Sequence, residues 1–200
     1  MIYYFDNFFV LGSLLFIYII CCICLKFLFK KNSIYLLFFT VMYIYICNVI
    51  KITQFPMYAF EDMKMAGQNV WREMNLIPFK EILGNFSSEV LLNVLLTMPL
   101  GFGLPFLTRC SWKKITIIGI GAGILLELGQ LLSALWIGFT FRHVNIDDTI
   151  LNFIGTLLGY AFFKGFKCVF KACINKLELK MNKFLTYINY VCDEEGNKDL

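Results

Sequence analysis

Five stretches of this chain stay apolar for about twenty residues at a time, the length a helix needs to cross the hydrocarbon of a bilayer. They run over roughly Phe8–Phe29, Ile34–Thr53, Val90–Leu107, Ile115–Gly138 and Ile146–Phe170. Lipid offers no water to backbone N–H and C=O groups, so stretches like these must fold as helices. They take up more than half of the 200 residues and leave little for a separate soluble domain. Composition agrees: 59% of residues are hydrophobic and 16% charged, against about 45–50% and about 25% in water-soluble domains. The expected fold class is all-α, a polytopic membrane helix bundle with about five transmembrane helices and an interfacial outer loop. The bundle should cover residues 1–170, with an amphipathic or disordered cytoplasmic tail over 171–200.

The first run has Asp6 before it, no preceding basic residue and no small-residue cleavage site after it. It therefore reads as a retained helix, not a signal peptide. Lys and Arg set the orientation. Lys26, Lys30 and Lys31 follow the first run, and Arg109, Lys113 and Lys114 separate the third from the fourth. Seven more, from Lys164 to Lys198, lie at or beyond the end of the fifth. The other side has five: Lys51, Lys64, Arg72, Lys80 and Arg142. This bias predicts an outer N-terminus and a cytoplasmic C-terminus. The net charge of +4 thus reflects topology and gives no reason to expect a nucleic-acid partner. None of the eight cysteines falls in a predicted outer loop, so no disulfide framework is expected. They read as small apolar residues and inner-side thiols. No metal site or cofactor is expected either.

The segment Gln54–Glu89 mixes aromatics such as Phe55, Trp71 and Phe79 with charges such as Arg72 and Glu73, which suits a segment lying at the interface. Pro78 should stop or start a short helix there. Ser87-Ser88-Glu89 is the expected N-cap of the third span. Pro99, Gly101, Gly103 and Pro105 interrupt its second half, where neighbouring helices must cover the freed carbonyls.

Polar residues inside these runs are the functional signal, because a carboxylate near a bilayer centre costs about 2.5–3.5 kcal/mol on the lenient scale. Glu127 and Gln130 are three apart in the fourth run and share a face. Asp148, Asn152, Gly155 and Gly159 form one stripe in the fifth. Glu89 and Asn93 share a face of the third, and Arg142 lies in the short loop joining the fourth and fifth. Topology puts these groups between the midplane and the outer surface, as an outward-opening polar pocket. Arg142 is expected to pair with Glu127, Asp147 or Asp148. The N-termini of the third and fifth helices could attract an anion. His143 reads as an exposed bystander.

At these residues the chain resembles the VanZ-like family of bacterial membrane proteins. The match runs from about Asn75 to Tyr160. Asn75-Leu-Ile-Pro78-Phe79 is similar to the family's N-x-x-P-F segment, Asn93 with Pro99-Leu-Gly101 to its N…P-x-G helix, and Glu127-x-x-Gln130 to its E-x-x-Q pair. Arg142, Asp147-Asp148, Asn152, Gly155 and Gly159-Tyr160 follow its R…D-D…N…G…G-Y block. Phe141 stands where the family often has a glycine. The resemblance implies a bacterial cell membrane and a link to glycopeptide resistance, to teicoplanin more than to vancomycin.

The ligand-binding set is therefore Asn75, Asn93, Glu127, Gln130, Arg142, Asp147, Asp148 and Asn152. The leading expectation is a non-enzymatic binding or resistance factor at the outer face. Its partners would be the lipid bilayer and a lipid-linked cell-wall precursor, a lipid head group or the lipoglycopeptide itself. The alternative is an enzyme acting on a lipid-linked substrate. Glu127 would then be general acid or base, and Asp147 or Asp148 would orient a nucleophile or metal. A flippase would want polar groups on both sides of the midplane, and the inner half is almost purely apolar.

Overall fold

The computed structural model describes residues 2–58, 70–84, 88–140, 142–177 and 180–196. Among the described residues, five helices are long and apolar enough to cross a membrane: Phe8–Leu28, Ser33–Gln54, Ser88–Phe106, Trp112–Ile137 and Ile146–Lys176. The five expected spans are all present, and the protein is an all-α, multi-pass membrane bundle.

Helix α1 (Phe8–Ile23) starts where Asn7 Oδ1 accepts the Phe9 N–H at 3.0 Å, and it runs into a wider π-helical turn, Cys24–Leu28. None of its residues is buried, so its Phe, Leu and Ile side chains are left for lipid. A basic turn leads to α2 (Ser33–Gln54), capped by Asn32 Oδ1 on the Tyr35 N–H at 2.7 Å. Tyrosine hydroxyls tie the pair: Tyr43 donates to the Leu14 carbonyl at 2.7 Å, and Tyr18 bonds Thr40 Oγ1 at 2.8 Å. At the far end of α2, strand β1 (Ile2–Tyr3) pairs antiparallel with β2 (Met57–Tyr58).

A short helix α3 (Lys80–Gly84) begins two residues after Pro78. Helix α4 (Ser88–Gly103) carries Pro99 internally and tightens into a 3₁₀ turn, Leu104–Phe106. Residues 85–87, and with them the expected Ser87 cap, lie outside the described residues. A proline at 99 deprives the Leu95 carbonyl of its usual donor. One residue on, Tyr45 of α2 donates to the Leu96 carbonyl at 2.6 Å. Helix α5 (Trp112–Ile137) is capped by Ser111 and ends on Gly138, whose φ of 78° is the left-handed conformation glycine adopts without strain.

The last span, α6 (Ile146–Leu177), packs along both α4 and α5. Its glycines set the approach. A Cβ on Gly155 would strike the Val94 carbonyl, one on Gly159 the Met98 carbonyl, and one on Gly101 of α4 the Thr156 carbonyl. On the other flank, Gly123 of α5 lies against Thr149. Small residues let backbones touch where lipid supplies no hydrophobic drive to associate.

In the tail, residues 183–196 form α7 (Lys183–Gly196), which docks on the end of the bundle. Its Ile188, Val191 and Cys192 join a buried cluster with Phe106, Cys110, Ile115, Tyr160 and Phe163. The stretch from Asp193, expected to be disordered, is helical through Gly196, and residues 197–200 lie outside the described residues. Burial of Ile188, Val191 and Cys192 anchors the helix to which these residues belong.

Candidate functional site

Asn145 organises the end of the bundle where α6 begins. Its side-chain oxygen accepts the Asp147 N–H at 3.0 Å and its carbonyl the Asp148 N–H at 3.2 Å, so it is the N-cap of α6. Its own N–H donates to Glu127 Oε2 at 2.8 Å. Glu127 is buried in α5, and this bond fixes α5 to the start of α6. Asn75 approaches from the other side, donating from Nδ2 to Asn145 Oδ1 at 3.0 Å. Backbone bonds reinforce it: Asn75 N–H to the Val144 carbonyl and Ile146 N–H to the Asn75 carbonyl, both 2.9 Å. Asn75 and Asn145 thus form a parallel bridge that stitches the Asn75–Phe79 segment to the loop between α5 and α6.

Asp147, 1% exposed, caps a helix to which it does not belong. Its carboxylate accepts the N–H groups of Phe79 and Ile82 at the start of α3. An anion there offsets the helix dipole. Phe79 sits at φ 64°, a strained region for a bulky residue that persists where surrounding contacts hold it. Asp148 points toward α4 and accepts from Asn93 Nδ2 at 2.8 Å. One turn further in, Thr97 Oγ1 donates to the Asn152 carbonyl at 2.7 Å. The side-chain oxygen of Asn152 is buried and meets no hydrogen-bond partner among the described residues.

Between α4, α5 and the start of α6 lies a cavity of about 410 Å³ lined by Glu89, Asn93, Gln130, Arg142, Asp147 and Asp148, with Ile52, Ile82 and Leu151 as apolar walls. Five of the eight residues picked from the sequence line it. Asn75, Glu127 and Asn152 do not; Asn75 and Glu127 stand behind it and hold Asn145 in place. Arg142 departs from expectation. It donates to the Phe55 carbonyl at 3.3 Å, while Glu127 is held by a backbone N–H. Pairing across the cavity yields to the path of the loop, which carries the guanidinium toward the end of α2. His143, expected to be a bystander, also lines the cavity; it is exposed, its Nδ1 lying 3.9 Å from Glu73 Oε2.

Two residues of the network escaped sequence reading. Asn145 carried a signal: an asparagine just before Ile-Asp-Asp at the start of an apolar run has the N-cap pattern. Thr97 lies four residues after Asn93 on the same helix face. Among the described residues, no group of three His, Cys, Asp or Glu could hold a metal ion.

Five apolar spans with a polar cluster at one end define a multi-pass membrane protein with a buried hydrogen-bonding centre. The VanZ/LLP1 family model matches residues 38–170, most of the chain, and the chain belongs to the VanZ/LLP1 family. That match takes in every residue of the network above. It leaves α1 and α7 outside. Comparison with curated proteins and with solved structures gives no match.

Proposed function

We propose that the protein works at the outer face of a bacterial cell membrane, where its polar cavity receives the head group of a lipid-linked ligand. The excess of positive charge at the other end of the bundle supports the outward orientation. In the setting implied by the family resemblance, the activity would contribute to glycopeptide resistance, teicoplanin above all, or to maintenance of the cell envelope. One observation carries the reading: Asn93, Gln130, Arg142, Asp147 and Asp148, drawn from three spans and one loop, line one cavity.

Among the described residues, three carboxylates, one guanidinium and the His143 imidazole line it, so a ligand rich in hydroxyl, amide or amine donors suits it better than a bare anion. The first-turn N–H groups of α6 already serve its own cap, which further weakens the case for an anion at that helix end. Burial of the cavity at the level where the spans end suits a ligand whose tail stays in lipid. The enzymatic alternative gains less support, because Glu127, its proposed acid or base, stands behind the cavity bonded to Asn145.

The test is the inhibitory concentration of teicoplanin and of vancomycin for a susceptible Gram-positive host expressing the chain at matched membrane abundance. A rise for teicoplanin that is lost in Asp148→Asn and Arg142→Ala supports the reading. A rise that survives both changes removes the cavity from the activity. No rise with the intact chain removes teicoplanin resistance in that host and leaves the envelope role.

A further inference from the structure

The polar cavity is open on a side that faces lipid. Two of its apolar wall residues belong to different spans, Ile52 to α2 and Leu92 to α4, and they are 58% and 60% exposed. Gln130 of α5 and Leu151 of α6 line the same cavity and are buried. The lining thus reaches from the outer surface of the bundle to its interior. Ile52 lies two residues from the end of its span and Leu92 four from the start of its own, about 3 Å and about 6 Å inward at 1.5 Å per residue. The opening between them stands within the apolar length of the spans, where the surrounding medium is hydrocarbon.

Hydrogen bonds frame this gap. Tyr45, seven residues before Ile52 and on the same face of α2, donates to the Leu96 carbonyl of α4 at 2.6 Å. That bond joins the two helices below the gap. Near its end α2 is tied to α5: Gln54 Nε2 donates to the Leu126 carbonyl at 3.1 Å. Gly129 makes room for this contact, since a Cβ there would stand 2.9 Å from Gln54 Oε1. Arg142 holds the residue that follows α2, donating to the Phe55 carbonyl at 3.3 Å, and it lines the cavity as well. The side chains of Ile52 and Leu92 carry no donor or acceptor. A polar group gains nothing between them, whereas a hydrocarbon chain gains dispersion contacts.

We infer that the cavity is entered sideways from the leaflet, and that the gap between Ile52 and Leu92 is a subsite for the hydrocarbon chain of its ligand. This rests on the lipid-linked ligand proposed above and places its two parts. The head group lies among Gln130, Arg142 and Asp148, and the chain passes Ile52 and Leu92 into lipid. A ligand arriving from water would need no opening at this depth.

Photo-crosslinking of the full chain in phosphatidylcholine vesicles tests this. The vesicles carry phosphatidylglycerol or glucosyl diacylglycerol with a diazirine on the chain near the glycerol, and adducts are mapped by mass spectrometry. Bulk lipid reaches exposed side chains of α5 such as Ile117 and Leu125, so adducts there show that labelling works. A lipid that has entered the cavity also labels Leu151, which is 5% exposed. Ile52→Trp with Leu92→Trp should lower the Leu151 adducts about tenfold and leave those on α5 unchanged. Ile52→Ala with Leu92→Ala should preserve both, and thermal unfolding checks that the two pairs fold. Labelling of α5 without any Leu151 adduct overturns the lateral route. Leu151 adducts that persist undiminished in the Trp pair also overturn it, but leave the lipid-linked ligand standing with another way in. No Leu151 adduct beside a teicoplanin effect that depends on Asp148 overturns the route as well, and makes the ligand one that comes from water.

Discussion

Asn145 joins three segments through one side chain and one peptide unit: α5 through Glu127, α6 through its own cap, and the Asn75 segment through the bridge. Buried polar groups cost most when one partner is deleted and the other is left unsatisfied. Glu127→Ala should therefore cost about 1–3 kcal/mol, read as a lower midpoint of thermal unfolding in detergent. Glu127→Gln keeps an oxygen for the Asn145 N–H and should cost clearly less. Equal losses in the two variants would mean that the charge, not the acceptor, holds the loop. The sequence showed Glu127 plainly, since a carboxylate inside an apolar run stands out. It did not show the partner, because Asn145 lies eighteen residues on and the loop between them is fixed by a bridge to residue 75.

Helix spacing is local information, and for that reason the elements were the more legible part. Glu127 with Gln130, and Asp148 with Asn152, Gly155 and Gly159, could be placed on helix faces from spacing alone. The direction of Arg142 and the docking of α7 depend on contacts far apart in the chain, and neither could be read in advance. The glycines divide by face. Gly155 lies against the Val94 carbonyl and Thr97, whereas Gly121 has nothing near it. Gly155→Val should force α4 and α6 apart and cost about 3 kcal/mol, while Gly121→Val should stay within about 0.5 kcal/mol. Membrane abundance and thermal unfolding of the two variants compare these directly. A destabilised Gly121 variant would show that this face is covered in the membrane.

At the scale of the whole molecule, helix α7 packs against the end of the bundle opposite the polar cavity, where Lys30, Lys31, Arg109 and Lys114 line a second cavity. Tyr187 reports on that packing. Burial, followed by the neighbouring Tyr35 and Tyr190, pushes its hydroxyl from 10.0 up to about 12. A raised value means the folded state holds the proton after the unfolded chain has lost it. The stability this represents is complete below about pH 10 and is lost as pH rises toward 12. Tyr187→Phe should cost about 1 kcal/mol at neutral pH through the lost bond to Phe106. It should also flatten the fall in unfolding midpoint between pH 10 and 12; an unchanged slope would place that titration elsewhere.

The central place of α6 has a consequence for biosynthesis. It leaves the ribosome after α4 and α5, yet those two meet chiefly through it. Until it arrives, Asn93 lacks Asp148 and Glu127 lacks the Asn145 N–H, so two polar side chains wait in the membrane without their final partners. Quality control thus has a built-in window: an incomplete chain advertises its state through unpaired polar groups, and insertion of a single late helix withdraws the signal.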